Sequence, residues 1–140
     1  CAAVASLDLH YYVIFPAPVS QTYQTLYWGM AAERDKAGAR AWLDGRGLLS
    51  RLPTVDPKRS DLAAFARELE ALCGPKAAGT LLLMPGLATF KEGALGTVEN
   101  GGVTGGKLDD ETLWCLVNAA TASGYQLGFI GNEAYEQKIP

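Results

Sequence analysis

A chain of 140 residues, 49% of them hydrophobic and 19% charged, has the length of one domain and enough apolar side chains for a packed core, so disorder is not expected. Its net charge of −3, with basic residues scattered except for the Lys58-Arg59 doublet, speaks against a nucleic-acid partner or an anionic membrane surface. No apolar run approaches the ~20 residues that span a bilayer.

The chain opens on Cys1, followed by the small residues Ala2, Ala3, Val4, Ala5 and Ser6. A signal peptide cleaved immediately before a cysteine is the maturation route of bacterial lipoproteins, and that thiol then carries the lipid. Cys1 is accordingly read as a lipid-attachment site, residues 1–6 as a tether or processed end, and residues 7–140 as one globular domain. The competing readings are a chain trimmed at an arbitrary point, in which case Cys1 means nothing, and a catalytic N-terminal thiol.

Leu7, Leu9, Tyr11, Val13 and Phe15 alternate with Asp8, His10, Tyr12 and Ile14, which predicts a strand over 7–15 stopped by Pro16 and Pro18. Ser20 is positioned to cap a helix from about Gln21 into the mid-thirties, with Tyr23, Leu26, Tyr27, Met30 and Ala31 facing the core. Gly29 inside it predicts a break or a close packing contact. A second short helix through Ala41-Trp42-Leu43 ends at Gly45, and residues 45–59, rich in Gly and Pro, form a connection.

Ser60 and Asp61 precede a stripe of Leu62, Phe65, Ala66, Leu69 and Leu72 at helical spacing, closed by Gly74-Pro75; Ser60 is taken as the cap. The run "TLLLM" at 80–84 reads as a strand buried on both faces. "LATFK" and "LGTVE" read as the two arms of a hairpin around Glu92-Gly93-Ala94. A further helix runs from about Asp110 to Ser123 and ends at Gly124, and "YQLGFI" at 125–130 supplies a last strand. The fold class is a single α+β domain, a small mixed or antiparallel sheet with helices mainly on one face. The alternative is an α/β sandwich whose strands 7–15, 80–84 and 125–130 are adjacent and parallel.

Gly101, Gly106 and Lys107 fall where a phosphate-binding loop places its glycines and lysine, but the next residue is Leu108, which has no oxygen for magnesium,. A simpler account takes Asp109 as a helix N-cap, Asp110 and Glu111 as partners of the positive helix end, and Leu108 as a staple onto Leu113. The same account covers the acidic cluster, so neither a cofactor nor a metal is expected; with one histidine and no CxxC, a zinc site is not expected either,.

His10 is the only histidine, so imidazole chemistry would have to use it. Asp8, His10 and Tyr12 share one face of the predicted strand, about 6.6 Å apart in succession, and together with Lys107 and Asp109 they are the candidates for lining a pocket. Cys73 and Cys115 can pair in an oxidising compartment or stand as separate buried thiols. Trp28, a quarter-turn from Tyr27, is a binding anchor if it is exposed.

These residues support one leading expectation: a small protein of the periplasm or cell envelope, lipid-anchored through Cys1. It would act by binding a protein partner, as an inhibitor, immunity protein or assembly accessory does, rather than as an enzyme. The alternatives are a small enzyme or ligand-binding domain with a pocket near His10 and the 99–109 loop, and one trimmed, cytoplasmic domain of a larger chain.

Overall fold

In the computed structural model, residues 2–8, 13–54, 61–99 and 102–127 are described. Helix α1, Ala2–Asp8, buries Ala3 and Ser6 and packs on α2, Val19–Asp44. Residues 2–6, read above as a tether or processed end, therefore lie within α1, and Cys1 lies outside the described residues. The described residues of the strand expected over 7–15 form no strand. Leu7 and Asp8 end a helix, Val13 to Pro16 belong to no strand, and 9–12 lie outside the described residues. Alternation specifies a strand only where a neighbouring edge receives it. Here Phe15 finds an aromatic partner instead, its ring 4.9 Å from that of Tyr23 in an edge-on contact.

The two helices expected between Gln21 and Gly45 are one. Gly29 neither breaks α2 nor marks a close approach, since a methyl group there would meet nothing within 4 Å. An interior glycine costs about 1 kcal/mol, whereas burying a large side chain such as Leu43 returns about 1.5–3 kcal/mol, so packing of Tyr23, Ala39 and Leu43 carries the helix through. Pro18 rather than Ser20 occupies the cap position, with no side-chain cap; the Ser20 hydroxyl accepts a bond from Gln24 instead.

Helix α3, Leu62–Cys73, is capped by Asp61, whose carboxylate accepts the Ala64 amide at 2.8 Å; the expected cap, Ser60, lies outside the described residues. Phe65, Ala66 and Leu69 are buried as the stripe predicts. Gly74, with φ of 97°, ends the helix, and a 3-10 turn over Pro75–Ala77 leads into the sheet. Strand β1, Leu81–Met84, turns through Pro85-Gly86 into the antiparallel β2, Leu87–Phe90. Only one face of β1 is covered: Leu81 and Leu83 are buried, Leu82 and Met84 exposed, so "TLLLM" is not buried on both sides.

The arms of the hairpin expected around Gly93 are both strands, but with other partners. β2 pairs with β1, and β3, Thr97–Glu99, pairs with β4, Gly102–Thr104. Helix α4, Asp110–Ala122, follows, and β5, Gln126–Leu127, lies parallel to β2, giving the order β1-β2-β5. Residues 128–130 of the expected last strand lie outside the described residues.

The result is a single-domain α+β fold with a mixed sheet. The parallel sandwich does not hold, because β2 separates β1 from β5 and β1 runs antiparallel to it. The main core joins Phe65 and Leu69 of α3 to Leu81, Leu83 and Phe90 of the sheet and Leu116 and Ala120 of α4. A second cluster seats Ala39 and Leu43 of α2 against Ala122, under Trp42 and Leu48. Cys73 at the end of α3 and Cys115 in α4 form a disulfide, with their Cα atoms 5.6 Å apart.

Candidate functional site

The acidic start of α4 does structural work. Asp109 accepts the Thr112 amide at 2.9 Å as the N-cap, and its other oxygen accepts from Lys76 Nζ at 2.5 Å. The Lys76 ammonium first, and the Thr112 donors next, hold the Asp109 carboxyl well below the usual carboxylate range,. The same bond to Asp109 raises the Lys76 ammonium above its ordinary value.

Lys107 Nζ donates to the Ala78 carbonyl, and the amides of Lys107 and Leu108 donate to the carbonyls of Gly93 and Ala94. The glycine-rich segment is thereby stitched to two neighbouring turns. Leu108 and Leu113 both pack partly buried against the main core. Gly106 is close to Gly96: a Cβ there would stand 2.4 Å from the Gly96 nitrogen.

Asp8 is elsewhere. It ends α1 and pairs at 3.5 Å with Arg34 of α2, which also donates to the Leu7 carbonyl. The structure thus engages Asp8 with α2, and Lys107 and Asp109 with the turn after α3. His10 and Tyr12 lie outside the described residues. Among the described residues no group of three or more His, Cys, Asp or Glu is placed to hold a metal ion.

Two grooves have linings that include none of Asp8, Lys107 and Asp109. The first, about 1040 Å³, separates α2 from the end of α4; Trp28, Ala31, Ala32 and Gly38 form one wall, and Val117, Asn118 and Thr121 the other. Trp28 is 58% exposed, with its ring centroid 5.1 Å from that of Tyr27 in an edge-on contact. Glu33, Arg34, Asp35 and Lys36 also line this groove, so its apolar strip is bordered by charges of both signs.

The second groove, about 650 Å³, runs between α3 and β1. At its base lies Glu70, 4% exposed, which sequence reasoning did not single out. Its Oε1 accepts the Leu81 amide at 2.7 Å and its Oε2 the Gly79 amide at 2.8 Å. A buried carboxylate is tolerable because two backbone donors satisfy it. The sole sequence clue is position: Glu70 flanks the apolar stripe of its helix one turn before Gly74-Pro75.

Comparison with known proteins gives no match among family models, curated proteins or solved structures.

Proposed function

We propose that the protein is a disulfide-stapled binding domain of the cell envelope or periplasm that holds a protein partner in the groove between α2 and α4, with Trp28 as its anchor. The observation that carries this reading is a tryptophan more than half exposed on the wall of a concave surface. Large aromatic side chains that still have area to bury supply a disproportionate share of interface energy, and a surrounding polar rim excludes water from them. The alternation of an apolar strip with charges of both signs fits this anatomy. The disulfide between Cys73 and Cys115 favours an oxidising compartment, where such bonds form and persist.

The test is partner capture from an envelope extract by the purified domain and by its Trp28→Ala variant, with thermal melting followed by circular dichroism as the control. The expected result is loss of the captured protein with an unchanged melting temperature, because Trp28 contributes little to the core. Capture undiminished in a folded Trp28→Ala protein would remove this groove as the binding surface.

A further inference from the structure

From the α3–β1 groove we infer a second binding activity: β1 takes up an extended, acidic segment of a partner protein as an added strand. β1 is an edge of its sheet, with β2 on one side and no strand on the other among the described residues. The Lys91 amide donates to the Thr80 carbonyl at 2.8 Å, which fixes the phase of the antiparallel ladder. Leu82 and Met84 point their backbone groups at β2, as Thr80 does with its carbonyl while its amide donates to Ala77, and Leu81 and Leu83 point theirs at the groove,.

Glu70 meets the first of these outward groups by taking the Leu81 amide. Its carboxylate stands where a neighbouring strand would begin to place its carbonyls. The Leu83 amide and the Leu81 and Leu83 carbonyls have no partner among the described residues. They form a template for a short further stretch of ladder.

The surroundings choose the occupant. The helix side of the groove is built from Ala63, Ala66 and Ala71, whose small side chains leave room for those of an incoming strand. Two cations border it: Arg67 on α3, and Lys91 on the sheet side. Neither makes an ion pair among the described residues, whereas the Glu70 carboxylate, the only one among the described residues lining the groove, is already occupied by backbone amides. Successive side chains of an added strand point in opposite directions, so it can offer acids to the cations and small apolar groups to the alanines. The volume lies within the ~300–1,000 Å³ typical of ligand sites. This groove is distinct from the one holding Trp28, so the inference does not depend on the function proposed above.

The experiment uses the oxidised protein and three short fluorescent peptides in which valine alternates with glutamate, glutamine or lysine. Binding is read by fluorescence anisotropy, and amide hydrogen exchange of Leu83 is followed by NMR. The glutamate peptide should bind best, slow exchange at Leu83, and lose affinity as salt is raised. The Arg67→Glu, Lys91→Glu double variant should weaken it about tenfold and favour the lysine peptide, and both substituted positions are exposed, so folding is preserved. Binding without Leu83 protection, equal binding of all three peptides, or no binding would overturn the proposal. So would a Leu83 amide already protected in the free monomer, or one whose protection rises with protein concentration alone, which would assign the edge to a second copy of this chain.

Discussion

The carboxylate of Glu70 and the amide of Leu81 are 2.7 Å apart, eleven residues distant in sequence and both buried. This bond and its companion to Gly79 tie the last turn of α3 to the start of the sheet. Glu70→Ala leaves two backbone donors without their acceptor and should cost about 2–4 kcal/mol. Glu70→Gln retains one acceptor oxygen but turns an NH₂ group toward the other donor, and should cost about 1–3 kcal/mol. Urea denaturation measures both; an Ala variant as stable as the parent would refute the role given to this carboxylate.

Reduction should loosen the same region. The Cys73–Cys115 bond closes a loop with a sequence separation of 42, and the chain-entropy account assigns a loop of that size about 4 kcal/mol. The Cys73→Ala, Cys115→Ala protein should therefore unfold at markedly lower urea than the oxidised parent, and dithiothreitol should move the parent toward the variant without affecting the variant.

The Lys76–Asp109 pair predicts the direction of an acid response. Asp109 titrates lower in the folded protein than an unfolded aspartate does, so the unfolded chain binds a proton first as pH falls. The stabilisation by its carboxylate is whole above the unfolded value of about 3.9 and is lost as pH drops toward the folded value. Asn is also a good N-cap, so Asp109→Asn isolates the charge. Melting temperatures of the two proteins should differ most at neutral pH and converge in acid, and a constant gap from neutral to acid pH would contradict the assignment.

Two glycines should respond oppositely to alanine. At Gly106 a new Cβ would press on the Gly96 backbone, which has no flexible end to yield, and the loss should be about 1–3 kcal/mol. At Gly29 the added methyl group meets nothing and removes an interior helical glycine, for a gain of about 0.5–1 kcal/mol. Thermal denaturation of both variants checks the contrast.

The elements legible in the sequence are those whose signals are local. The Asp109 cap, the α3 stripe and the stop at Gly74-Pro75 each depend on neighbours within a few residues, and each stands as the pattern reads. The described ends of the segment 7–15 are not a strand because alternation says nothing about whether an edge is available, and α2 does not break at Gly29 because a local penalty yields to burial further along the helix.

Hairpin pairing departs from the expectation for a different reason. Pro85-Gly86 separates "TLLLM" from "LATFK", and Asn100-Gly101, the dipeptide with the strongest hairpin preference, separates "LGTVE" from 102–104. These two dipeptides are the local sequence signals for the pairings β1–β2 and β3–β4. Glu70 could not have been found this way, because its acceptors' partners are set by how the chain returns after the 3-10 turn. The sequence carries the role of Trp28 only as a condition on its exposure, since the groove beside it is made by α4.

The disulfide has one more consequence. Its two cysteines enclose the 3-10 turn at Pro75–Ala77, β1, β2, β3, β4 and the start of α4, so all of these sit on a covalent ring, with the chain before Cys73 and after Cys115 attached as two arms. A protease that nicks the backbone once within that ring separates no fragment: the oxidised molecule keeps its full mass, and only after reduction do two pieces part on a gel.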